Sequence, residues 1–276
     1  MGIPATIVMP KISTPSKIAA TQGYGARVVF SGSTSKEREE VVKGLMEERK
    51  GMVFVPPYDH PDIMLGQGTV GLEFQRQASE MIQSVGMEGS MQKKCSFARG
   101  TQTNGANGAN GTNSRRKGLD AIITPCGGGG LLSGTAISCH GTGIKVFGSE
   151  PEFEGADDCK RGLATGSRVE SVKTLTIADG LRTPVGMQPW SIISDSKFVQ
   201  GVYSVSEEQI KRAMRLVLER MKVVIEPSSA VPLAVALYNE DFRSMVEREG
   251  GDTGWDLGIV FSGGNVSVEA LGAIYT

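Results

Sequence analysis

The sequence predicts an α/β protein with open parallel sheets, and three patterns carry that expectation. Short apolar runs alternate with segments of helical periodicity, an order in which successive strands run parallel and each helix is the crossover between them. The strand-like run 119–124 ends in a block of glycines that opens into a helix. A last strand-like run, 257–261, ends in the glycine turn Ser262-Gly-Gly-Asn265.

Taken in order, residues 5–9 form an apolar run bounded by Pro4 and Pro10 and read as a buried strand. Thr14-Pro15 is an N-cap followed by proline at the first helical position, so a helix is expected to about Gln22. Residues 26–30 (Ala-Arg-Val-Val-Phe) are a second strand. Residues 35–50 are a charged helix with Val41, Val42, Leu45 and Met46 inward, and 52–55 a third strand. Residues 67–84 read as a helix. Segment 88–118 carries Asn-Gly-Ala-Asn-Gly-Ala-Asn-Gly-Thr-Asn, a composition that cannot bury enough surface to order itself, and is expected to be a disordered insertion. It separates a small domain, 1–87, from a large one, 119–276.

In the large domain a helix is expected over 131–139, a strand over 144–149, a loop over 174–180 and a strand over 202–205. Ser206 then caps a helix, with Gln209 completing a capping box. Ile210, Ala213, Met214, Val217, Leu218 and Met221 form its apolar stripe. A further helix spans 231–238.

Lys+Arg is 29 and Asp+Glu 30, which argues against a basic footprint for nucleic acid or an anionic membrane. No apolar run reaches membrane-spanning length. Cys95, Cys126, Cys139 and Cys159 show no CxxC pair, so reduced thiols in a cytoplasmic protein are expected. The first residues lack the basic start of a signal peptide. A chain that opens directly in a core strand is expected to have further chain upstream of it.

The segment Cys126-Gly-Gly-Gly-Gly-Leu-Leu-Ser-Gly134, between strand and helix, is the strongest local signal. Consecutive glycines let backbone N–H groups converge on one anion, and the helix N-terminus adds positive potential. The segment is not a P-loop, because no Gly-Lys-Ser/Thr follows, and it is not the GxGxxG dinucleotide pattern. A glycine-rich turn without a ligand is the bland alternative.

Five segments together resemble the pyridoxal-phosphate enzymes of the tryptophan-synthase-β fold type, and within them serine racemase and the serine/threonine dehydratases. They are Gly66-Gln-Gly-Thr69, the 125–134 loop, Glu150-Pro with Ala156-Asp-Asp158, Ile225-Glu-Pro-Ser228 and Phe261-Ser-Gly-Gly-Asn265. The resemblance implies two open parallel-sheet domains with pyridoxal 5′-phosphate in the cleft between them, the smaller domain lacking its first elements. It implies that Gly127, Gly128, Gly129, Gly130 and Leu131 hold the phosphate, that Gly180 lines the ring, and that Ser262 faces the pyridine nitrogen. A neutral hydroxyl there does not force the ring to stay protonated and so moderates its pull on electrons. Glu226 lies close to the cofactor in the family; the alternative is a surface carboxylate at a helix end. Glu150, the Ala156 carbonyl and Asp158 resemble the family's divalent-cation site. They are hard oxygen donors suited to Mg²⁺ or Ca²⁺, with Glu154 a substitute, or else a solvated acidic loop. The implied substrates are serine and threonine, by racemisation or β-elimination with ammonia release, and a homodimer is implied as well.

The family's Schiff-base lysine sits in a Ser-Phe-Lys-x-Arg-Gly segment that does not occur in these 276 residues. Cys95-Ser-Phe-Ala-Arg-Gly100 echoes it without the lysine. His60 and His140 are read as loop or helix-end residues. The expectation is therefore an enzyme of this family whose 276 residues alone are inactive. The alternative is a non-catalytic protein that binds a phosphate-bearing ligand or a partner.

Overall fold

The computed structural model describes residues 2–88 and 118–275. Nearly all of the insertion, with Cys95 and its neighbours, lies outside the described residues.

The first sheet has two parallel strands, β1 (Thr6–Pro10) and β2 (Arg27–Ser31), in register from Thr6↔Arg27 to Pro10↔Ser31. The crossover is α1 (Pro15–Gly23), where Thr14 is extended and Pro15 starts the helix as expected, although the Thr14 side chain makes no capping bond. In α2 (Ser35–Glu48) the capping box is complete: Glu37 N–H donates to Thr34 Oγ1 and Thr34 N–H to the Glu37 carboxylate. Two expectations fail here. Residues 52–55 form no strand, and Val53 and Val55 are exposed. Their β-branched character has no ladder partner among the described residues, and propensity without pairing does not make a strand. Nor is β1 buried, since Ile7 is 40% exposed.

The third helix, α3 (Pro61–Glu88), begins six residues before the expected 67, because Pro61 presets the first turn and Asp62 adds an acid there. It lies across α4 (Gly130–Cys139) and far less on the small sheet. Glycines permit that close crossing. A Cβ at Gly134 would sit 2.2 Å from the Met64 carbonyl oxygen, and one at Gly68 would sit 2.7 Å from the Gly134 carbonyl oxygen. Gln75 Nε2 ties the crossing by donating to the Ser138 carbonyl.

The second sheet contains β3 (Ala121–Pro125), β4 (Lys145–Pro151), β5 (Gly201–Val205) and β6 (Leu257–Ile259), all parallel, in the order β5-β4-β3-β6. Residues 260 and 261 lie past the end of the β6 ladder, although Val260 N–H still donates to the Ile123 carbonyl. Both faces are covered, so β3 is buried along its whole length. Ile123, Phe147 and Val205 meet α7 (Glu207–Leu216) and α8 (Pro227–Tyr238) through Ile210, Met214, Val231 and Ala234. Ile122 and Val146 meet α4 and α6 (Met187–Ile193) through Leu132 and Ile193. Each such aliphatic or aromatic side chain contributes roughly 1.5–3 kcal/mol on burial, and this sheet holds most of the core.

Ser206 and Gln209 form the expected capping box on α7. Its apolar stripe holds through Val217, but Met221 is 55% exposed. A π-turn over Val217–Met221 adds a residue to the last turn and rotates Met221 out. The α8 helix begins at Pro227, earlier than the expected 231, with proline again in the first turn. The remaining helices are α5 (Asp158–Thr165), α9 (Glu240–Gly250) and α10 (Val268–Tyr275). No helix among the described residues is long and apolar enough to cross a membrane.

Candidate functional site

From β3 the chain steps outward to β4 and β5, then returns to β6 on the opposite side of β3. The β3/β6 boundary is therefore a topological switch point, where loops leaving the carboxyl ends of two adjacent strands diverge and open a crevice. With Ile123 paired to Ile259, the loop after Pro125 and the turn after Phe261 emerge side by side.

The loop after β3 is the glycine run. Gly129 takes φ +87°, a left-handed conformation that disfavours any side chain, and it is the N-cap of α4. The first N–H groups of α4 have no partner within the helix and point toward its N-terminal end. A Cβ on Gly127 would lie 2.9 Å from the Gly180 carbonyl oxygen, and one on Gly128 would enter the Tyr58 ring at 2.4 Å. At both positions the Cβ would run into protein already packed on the loop, so only glycine keeps this backbone, with N–H groups that carry no side chain beside them. That fits a phosphate cradle, with Gly127–Gly130 and Leu131 as its donors.

Around the loop the structure gathers Gly180, Glu226 and Ser262. Gly180 N–H donates to Ser228 Oγ. Ser262 Oγ is 3.2 Å from Ser229 Oγ, while Ser229 Oγ also donates to the Gly263 carbonyl and accepts from Gly263 N–H, both at 2.7 Å. The Ile-Glu-Pro-Ser and Ser-Gly-Gly-Asn segments thus brace each other and hold the Ser262 hydroxyl between them.

Glu226 is not a solvated helix-end carboxylate. It pairs with Lys17 at 3.3 Å, and Lys17 also pairs with Asp179 at 2.8 Å. Burial pulls the Lys17 pKa down, but hydrogen bonds and ion pairs to Asp179 and Glu226 raise it by more, so the ammonium stays charged. Lys17 comes from α1 of the small sheet, and nothing in its local sequence marked it as a cleft residue. Tyr58 and Asp59 were missed too. The Tyr58 ring covers Gly128, and the Asp59 carboxylate accepts the Met187 and Gln188 N–H groups at the start of α6. His60 accepts from Asp62 N–H at the start of α3, and His140 stacks on Phe198 with ring centroids 4.6 Å apart.

Glu150 and Asp158 are 0% and 2% exposed. Glu150 accepts the Cys159 and Lys160 N–H groups, and Asp158 accepts that of Val185. Burial, with the charge of Asp158 next, pushes the Glu150 carboxyl well up; burial likewise lifts Asp158 to about 6. Glu154 turns away to the Leu175 N–H. Ala156 is buried in the turn before α5.

Known proteins share this architecture. L-threo-3-hydroxyaspartate ammonia-lyase of Saccharomyces cerevisiae is 34% identical over 272 residues, covering 98% of this chain and 68% of the relative. Serine racemase of Dictyostelium discoideum is 36% identical over 272 residues, covering 97% and 68%. The structure of maize serine racemase superposes with a TM-score of 0.75 at 32% identity, covering 99% of this chain and 70% of that one. A family model described as pyridoxal-phosphate dependent enzyme matches residues 1–90 and 109–252, on both sides of the insertion and through the glycine loop, Gly180 and Glu226. The chain belongs to the family of pyridoxal-phosphate dependent enzymes.

Proposed function

We propose that this chain acts on small α-amino acids bearing a 3-hydroxyl, serine and threonine foremost, by racemisation or by β-elimination that releases water, after which hydrolysis of the resulting imine takes one water back up and frees ammonia to leave a 2-oxo acid. The observation that carries the reading is the switch point, where a glycine cradle on β3 opens beside a serine-tipped turn on β6. The relatives add support, being a racemase of serine and an ammonia-lyase of a 3-hydroxy amino acid.

Bound pyridoxal phosphate would supply an electron sink for charge left at Cα. The protein's own contributions are separable. The N–H groups of Gly127–Gly130 and Leu131 bind the phosphate. Ser262, held by Ser229, offers the ring nitrogen a neutral partner. Gly180 leaves room for the ring. Lys17 holds Glu226 in place at the edge of the crevice. The Ser-Phe-Lys segment that would anchor the cofactor covalently is not among these 276 residues, so residues 1–276 by themselves are expected to hold the cofactor noncovalently and to turn over little substrate. A second reading, ligand binding without catalysis, draws on that same feature.

The test is a fluorescence titration of residues 1–276 with pyridoxal phosphate and with pyridoxal. Saturable binding is expected, about tenfold or more weaker without the phosphate, the worth of one hydrogen bond to a charged group. Equal affinity for the two ligands overturns the phosphate assignment. Borohydride followed by peptide mapping should fix no cofactor on a single buried lysine. Ammonia release from serine separates the readings, since sustained turnover by residues 1–276 alone removes the noncovalent, low-activity expectation.

A further inference from the structure

At the far end of α4 from the glycine cradle lies a cavity of about 280 Å³. The helix has 10 residues, from Gly130 to Cys139, so its two ends are about 15 Å apart at 1.5 Å per residue. Three pieces of chain enclose the cavity: the last turn of α4, the loop that leads into β4, and the residues just before β5. Ala136 and Cys139 give it a buried apolar floor, at 1% and 3% exposure. Phe198 also lines it, with the His140 ring stacked on it. The charged residues of the lining are Lys145 and Lys197, and no described aspartate or glutamate contributes to it.

Neither lysine is there to cap α4. In the last turn the carbonyls of Ile137, Ser138 and Cys139 already accept from His140 N–H, from Gln75 Nε2, and from the Thr142 N–H and hydroxyl. The Lys145 ammonium pairs with Glu249 and lies 4.9 Å from the centroid of the Trp255 ring, which leaves donor capacity on a group with three N–H bonds. Lys197 is fixed through its backbone N–H, which donates to Asp195 Oδ1, while its ammonium makes no hydrogen bond or ion pair with any described residue. The N–H groups of Gly141 and Gly143, two further lining residues, have no acceptor among the described residues. The unmatched polar groups are therefore donors on a cationic rim, above an apolar floor. The complement of such a lining is an anion that brings an apolar portion of its own. The volume is just under the usual range for ligand sites, roughly 300–1,000 Å³, which suits a small metabolite better than a nucleotide.

We infer that this cavity is a second ligand site, for a small organic anion that sets a carboxylate or phosphoryl group on Lys197 and Lys145 and a planar apolar part against Phe198, Ala136 and Cys139. It is separate from the cofactor cradle. The cradle follows the carboxyl end of β3, whereas the cavity lies at the amino ends of β4 and β5, on the other side of the sheet's length. Binding here needs neither pyridoxal phosphate nor turnover, so the site stands or falls independently of the proposed function.

The chain has two histidines, and they report on different places. His140 lines the cavity, whereas His60 follows Tyr58, whose ring covers Gly128 in the cradle. The experiment is a proton NMR titration of residues 1–276 with benzoate and with phenyl phosphate, the two imidazole resonances being assigned through His60→Gln. The expected result is a saturable shift of the His140 resonance, with a dissociation constant of about 1 mM or tighter for at least one of the two anions. The tighter of the two identifies the anionic group the site takes. Benzyl alcohol, neutral and of similar size, should bind about tenfold or more weakly, and so should the preferred anion to Lys197→Gln, the worth of one hydrogen bond to a charged group. Lys197 is exposed, so this variant is expected to fold, which circular dichroism checks. Absence of a saturable His140 shift with either anion overturns the proposal. A shift of His60 without His140 assigns the anion to the cradle and overturns it too. Where both resonances move, Lys197→Gln decides: undiminished binding overturns the site, and weakened binding with the His60 shift unchanged supports it.

Discussion

Lys17 is the residue whose chemistry depends most on the rest of the molecule. Its ammonium leaves α1, crosses to the large sheet and is shared between Asp179 and Glu226. The three side chains are 24%, 23% and 14% exposed, so the cluster is screened less than a surface pair. Lys17→Met leaves two carboxylates facing each other and should cost about 1–3 kcal/mol in urea denaturation near neutral pH. The pH dependence follows from the raised lysine pKa. A base whose pKa is higher folded than unfolded stabilises fully below its unfolded value, and that contribution is lost as pH rises through the folded value. The gap between parent and Lys17→Met should therefore be constant from about pH 7 to about pH 9.5, and should shrink above the ordinary lysine value of 10.5. A gap that widens at high pH would contradict the charged-lysine assignment.

At the scale of elements, glycine has opposite effects in two helices. Gly134 lies where α4 crosses α3, and a Cβ there meets the Met64 carbonyl at 2.2 Å. Gly134→Ala must push the helices apart and should cost about 1–3 kcal/mol. Gly44, inside α2, has nothing within 4 Å of an added Cβ. Gly44→Ala should stabilise by about 0.5–1 kcal/mol through helix propensity alone. Thermal melts of the two variants should move in opposite directions; a parallel change would mean that the α3–α4 crossing relaxes at little cost. Loss of the α7 capping box in Ser206→Ala should cost about 1 kcal/mol.

For the whole molecule, burial is distributed unevenly. Among the described residues 2–60, Ser31 alone is fully buried, whereas β3 and β4 are buried almost throughout. Local opening free energy follows buried contact, so amide exchange should be fast in β1 and β2 and slow in β3 and β4. Hydrogen exchange read by mass spectrometry checks this, and equal protection of the two sheets would contradict it. Lys17→Met should speed exchange in β1 and β2 selectively, because the Lys17 pairs are ion pairs that carry the small sheet onto the large one.

The amino-acid sequence determined what is local. Alternating apolar runs and helical periods specify parallel strands with helical crossovers. Thr34–Glu37 and Ser206–Gln209 are capping boxes closed within one turn, each between residues three apart in the chain. The glycines before α4 need a backbone that tolerates φ +87° at Gly129. Gly127–Gly130 and Ser262 follow strand ends and Glu226 precedes a helix, places where a short run of sequence marks the position, whereas Gly180 sits inside the turn Asp179–Leu181 and was implied by the family resemblance alone. Tertiary structure decided what depends on partners distant in sequence. Residues 52–55 have strand composition but nothing to pair with, and Met221 leaves its stripe because one π-turn shifts the helical phase. Lys17 becomes a cleft cation only because Asp179 and Glu226, more than 150 residues away, are brought to it. Cys126 and Cys159 lack metal-type spacing along the chain yet share one buried cluster with Glu150, because spacing in sequence measures contour length, whereas a parallel sheet brings the ends of distant strands side by side.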